Sequence, residues 1–158
     1  MASFGASLVA ACIVAASFAA CASPSPPGAR DAGGAGPSAS SAPRFARLGL
    51  LLAHDGNWRG RQIIPAAWVK DATSRHPDQR HLWPGIATPF LGYGYQTWIW
   101  PGEPRRFAFL GVRGQSILVD PQSRLVMVQT SVRKRPSNDP VAALTRALWQ
   151  AVVDTLGN

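Results

Sequence analysis

The stretch "FAFLGVRGQSILVDPQSRLVMVQTSV", residues 107–132, decides the fold. It reads as three short apolar runs, "RFAFLGV", "QSILVD" and "LVMVQTSV". They are separated by a glycine-bounded turn and by "PQSR", with Pro121 at a position that presets turn geometry. Upstream, "YGYQTWIW" from Tyr93 alternates and is aromatic-rich, which predicts one more strand, and "PGEPR" joins it to the next. Consecutive strands joined by short turns predict an antiparallel meander of about four strands.

Helices flank this sheet in the sequence. After it, "DPVAALTRALWQAVVDTL" carries an N-cap in Asn138 or Asp139 and Pro140 at its start. Val141, Leu144, Leu148, Val152 and Leu156 form an apolar stripe whose expected partner is the sheet face. Before the sheet, "RFARLGLLLAHDG" places Phe45, Leu48, Leu51 and Leu52 on one helical face, with Gly56 as the expected C′ residue. A second helix is expected from Pro65 in "PAAWVKDAT", and residues 74–92 read as a long loop. The fold class is therefore α+β, an antiparallel sheet with a C-terminal helix packed on it.

Ahead of this body lie two segments of different character. Residues 1–21, "MASFGASLVAACIVAASFAAC", hold an apolar run from Leu8 to Ala20, the length of a signal-peptide core and too short to span a bilayer. Its end, Phe18-Ala19-Ala20-Cys21, resembles a bacterial lipobox, which implies lipidation of Cys21, export and a lipid anchor at the cell envelope. Residues 22–43 are nearly all Ala, Ser, Pro and Gly, a composition that cannot bury enough apolar surface to offset ordering entropy, and they read as a tether. The folded body is expected over residues 44–158.

Composition narrows the function classes. The formal charge is +8, but the arginines are dispersed and no nucleic-acid-binding signature accompanies them, so a solvated basic surface is expected and not a nucleic-acid site. Cys12 and Cys21, the only two cysteines, both precede the body, which excludes a disulfide framework there. His54, His76 and His81 sit beside predicted loops without carboxylates at ligand spacing, so no metal site is expected.

The order of "RFARLGLLLAHDGNWRGRQIIPAAWV", "GYGYQTWIW" and "FAFLGVRGQSILVDPQSRLVMVQTSV" resembles the C-terminal part of β-lactamase-related serine hydrolases. That group includes class C β-lactamases, related esterases and 6-aminohexanoate-dimer hydrolase. The resemblance implies an acyl-serine reaction on an ester, amide or β-lactam, without a cofactor. It places Gly111, Val112, Arg113, Gly114 and Gln115 at the site's edge strand, in the G-x-x-G-Q form of the hydrolase branch. By that resemblance the Val112 N–H is one of two oxyanion-hole donors.

The family's nucleophile is the serine of S-x-x-K on a helix, where three-residue spacing stacks Ser and Lys on one face. Ser131-Val132-Arg133-Lys134 has that spacing but lies in a strand-like run, where such residues point to opposite faces, and Pro136 follows. The match of Ser131 and Lys134 is thus expected to be fortuitous, with no catalytic residue assigned. No other serine has Lys three residues on, and neither Tyr93 nor Tyr95 begins Y-x-N. The expectation is a partial hydrolase, inactive alone, acting on an ester or amide only if complemented. The alternative is a non-catalytic envelope lipoprotein binding a protein or peptidoglycan partner through Trp58, Trp68, Trp83, Trp98 and Trp100 and an exposed sheet edge.

Overall fold

A computed structural model describes residues 12–14, 42–133 and 141–157. Its centre is a mixed sheet in the order β1-β8-β7-β6-β5-β4. The antiparallel part comprises β4 (Gly92–Tyr93), β5 (Trp98–Ile99), β6 (Phe107–Leu110), β7 (Ser116–Asp120) and β8 (Leu125–Gln129). These are five strands and not the four expected. The extra one arises because "YGYQTWIW" is itself a hairpin. Gln96 takes φ +59°, the Gly94 N–H donates to Thr97 O at 2.8 Å, and Thr97 Oγ1 donates to Ala72 O at 2.8 Å, folding the run back on itself. A separate two-stranded ribbon pairs β2 (Asn57–Trp58) with β3 (Arg61–Gln62).

The remaining strand, β1 (Cys12–Val14), pairs in parallel with the free side of β8, Cys12 opposite Val126. It falls inside the segment expected to be a signal peptide.

Alternation divides the strands between two cores. Phe107, Ile117, Val119, Val126 and Val128 belong to one, against α1 (Ala42–Ala53). Ala108, Leu118, Leu125 and Met127 belong to the other, against α3 (Val141–Leu156). Strands β7 and β8 are buried on both faces, as expected of central strands covered by helices.

Both helices turn faces to the sheet that differ from the expected stripes. Helix α1 begins at Ala42, ahead of the expected boundary at Arg44, and buries Ala42, Ala46, Gly49, Leu52 and Ala53, while Leu48 stays 41% exposed. A Cβ on Gly49 would lie 2.5 Å from Val126 Cγ1, so the helix approaches the sheet too closely for any larger residue there. The expected C′ position also moves. Asp55 (φ +49°) takes it, its N–H donating to Leu52 O, while Gly56 follows with its N–H on Leu51 O at 2.8 Å. That pair of bonds is a Schellman end.

Helix α3 departs further. Trp149 (fully buried) and Val153 face the sheet, with Val152 half-buried beside them, whereas Val141, Leu144, Leu148 and Leu156 are exposed. The helix carries adjacent apolar stripes, and the one holding the largest side chain wins because it removes the most apolar area from water. Helix α2 (Ala66–Ala72) starts behind Pro65, and within the long loop Arg80–Leu82 forms a 3₁₀ turn.

A candidate active-site turn

The turn between β6 and β7 is built by its glycines and by Gln115. The Gly111 N–H donates to Gln115 O at 2.8 Å, and the Gly114 N–H to Gly111 O at 3.1 Å. Gly114 has φ +89°, and any Cβ there would collide with the Arg133 side chain. This position therefore needs glycine for two independent reasons, conformation and space.

Gln115 ties the turn to the chain beyond β8. Its Nε2 donates to Ser131 O at 2.9 Å, and its Oε1 accepts from the Arg113 N–H at 3.3 Å. The segments are zipped further: the Arg133 N–H donates to Arg113 O at 2.8 Å, and Arg113 Nη1 to Arg133 O at 3.2 Å. Val112 stands at the apex, 69% exposed, and its N–H donates to no acceptor among the described residues. The turn is thus pinned by hydrogen bonds on both sides of a backbone N–H that has no acceptor among the described residues, a group of the kind that can meet an incoming oxygen.

Two cavities adjoin the turn and share Leu110, Gly111, Gln115 and Ser116 in their linings. The first, of about 300 Å³, lies on the α1 side, walled by Phe45, Phe109, Ile117, Tyr93 and Trp98, with Gly111 and Gln115 at the turn. Tyr93 is half-buried, packs edge-on to Trp98 with centroids 4.9 Å apart, and donates its hydroxyl to Gln96 Oε1 at 3.1 Å. The second, of about 200 Å³, opens on the α3 side.

Ser131 lies past the end of β8, and its hydroxyl donates to Gly114 O at 2.8 Å. Its role here is to fasten the turn. Lys134 and Cys21 lie outside the described residues. None of α1, α2 and α3 contains a serine.

The tryptophans expected to form a binding surface differ in exposure. Trp100 is buried in the α3-side core, Trp58, Trp83 and Trp98 are half-buried, and only Trp68 of that set is exposed. Trp83 lies between the guanidinium groups of Arg75 and Arg80, at 5.8 and 5.6 Å, and donates its Nε1 proton to His76 O.

Sequence reading missed two polar networks. Arg105 donates to Asp55 Oδ1 and Thr73 Oγ1, both at 2.5 Å, tying the end of α1 to the end of α2. Asp120, 1% exposed, accepts the Gln122 N–H at 3.0 Å and the Ser123 N–H at 3.3 Å, and stands 3.4 Å from Arg106 Nε. The D-P-x-S order carries a legible signal for the turn bonds, since Asp accepts from the backbone two residues on. The pairing with Arg106 follows only from the register Phe107 opposite Val119. Tyr95 stacks on His76 with centroids 5.2 Å apart, and hydrogen bonding to Asp71 raises its phenol above the ordinary range.

No family model and no curated protein matches the chain. Among solved structures, one named as a 6-aminohexanoate-dimer hydrolase from Bacillus anthracis is similar, with 27% sequence identity and a TM-score of 0.56. The likeness covers 70% of this chain and 28% of that one, so the chain spans little more than a quarter of the structure it resembles. This supports a related, β-lactamase-like fold for the sheet and its helices.

Proposed function

We propose that this chain is a portion of a β-lactamase-related serine hydrolase, supplying the sheet and one wall of the site but not the nucleophile. The observation that carries this reading is the Val112 N–H, without an acceptor among the described residues, in a hydrogen-bonded turn whose Gly111 and Gln115 line a cavity. Such a donor suits the oxyanion of an acyl-transfer intermediate. The parent reaction is hydrolysis of an ester, amide or β-lactam through an acyl-serine. A partner segment bearing S-x-x-K on a helix completes the site.

The chain is exported and held at the envelope by lipid on Cys21, a reading supported by the sequence of residues 1–21. Cleavage before Cys21 removes β1 and frees the β8 edge, whose unpaired backbone groups can then take a strand from a partner.

Purified protein assayed with nitrocefin and p-nitrophenyl acetate should show no turnover. Turnover abolished by Ser131→Ala would overturn the proposal. Cys21→Ser should move the protein from the membrane to the soluble fraction; unchanged fractionation rejects the lipid anchor.

A further inference from the structure

The α3-side cavity carries a second site, which adjoins the first at the turn and shares Leu110, Gly111, Gln115 and Ser116 with it. Its floor is apolar, with Trp100 and Leu118 among the lining side chains. Its polar side chains are Gln115, Ser116, Arg133, Thr145 and Arg146. Ser116 is 5% exposed, and its buried hydroxyl has no hydrogen-bond partner among the described residues. The Arg133 Nε is likewise buried and unpartnered, although Nη2 of the same guanidinium donates to Thr145 Oγ1 at 2.8 Å. Neither Arg133 nor Arg146 pairs with a carboxylate among the described residues, and no acidic side chain lines the cavity.

Buried donors left unpaired in a native fold are costly and call for a partner. Here the residues that bear two of them, Ser116 and Arg133, line one cavity, and the Arg133 guanidinium is fixed there by Thr145. A planar guanidinium matches the two oxygens of a carboxylate, and a hydroxyl donor beside it adds a charge-assisted bond. The apolar floor argues against a fully hydrated anion such as phosphate, which would lose its water to aliphatic walls.

We propose that this cavity binds a short-chain monocarboxylate, its charged end at Ser116 and Arg133 and its tail against Trp100 and Leu118. The proposal goes beyond the hydrolase reading because binding here needs no nucleophile, although Gly111, Gln115 and Ser116 line both cavities.

Isothermal titration of the full chain against sodium hexanoate, hexan-1-ol and sodium phosphate tests it. Saturable one-site binding of hexanoate is expected, with the alcohol and phosphate at least about tenfold weaker, as the loss of charge-assisted bonds dictates. Arg133→Gln should weaken hexanoate about tenfold or more, and Ser116→Ala about three- to tenfold. Ser116→Ala removes only an unpartnered hydroxyl, so its circular dichroism spectrum should match that of the parent and keep the test valid. Equal affinity for the alcohol, tighter binding of phosphate, no saturable heat, or hexanoate binding unchanged in both variants would each overturn the proposal.

Discussion

The two faces of the sheet are covered in opposite ways. On one, α1 presents Ala42, Ala46, Gly49 and Ala53, and the backbone itself comes close to Val126 and Ile117. On the other, α3 stands on a single large side chain, the fully buried Trp149, with Val153 beside it. The first face is held by shape over many small contacts, the second by one anchor. The lesson is that an apolar stripe marks a helix as amphipathic without saying which of its neighbouring faces will be buried. Close approach favours small residues, and area favours the largest.

This contrast can be broken from either side. Trp149→Ala should have the largest effect, a loss of about 3–5 kcal/mol, because the cavity it leaves cannot collapse onto a single-anchor helix. Urea denaturation followed by circular dichroism should show the midpoint falling accordingly; a loss under about 1 kcal/mol would mean that α3 is held elsewhere. Gly49→Val comes next, at about 1–3 kcal/mol, since the added atoms must displace Val126 or the helix. If instead the midpoint holds, the α1 face is looser than its geometry. Asp120→Asn sharpens the comparison between the faces. It leaves the turn acceptor in place but removes the charge facing Arg106, so a drop of about 1–3 kcal/mol is expected. Leu144→Ser, on the exposed stripe of α3, should change the midpoint by no more than about 0.5 kcal/mol. A larger loss would show that this stripe is covered in solution.

Much of the sheet was legible. Phe107–Leu110, Ser116–Asp120 and Leu125–Gln129 fall within the runs read from alternation and turn residues, and the C-terminal helix lies where its periodicity put it. The hairpin inside "YGYQTWIW" was not, because its turn depends on Thr97 reaching Ala72, a contact distant in sequence. The Schellman end went to Asp55 and not to glycine alone, a choice that propensity does not make. The site was legible in part. The G-x-x-G-Q stretch announced a tight turn, but that Gly114 lies under Arg133 and that Ser131 fastens it required the fold.

By itself, then, the chain specified its local geometry: strand period, turn chemistry and approximate helix extents. These follow from neighbours a few residues apart. The tertiary structure alone decided which face of each helix is buried, that Arg106 meets Asp120, and that Ser116 and Arg133 line one cavity. Those outcomes depend on competition between surfaces brought together by folding, and no short window of sequence contains both competitors.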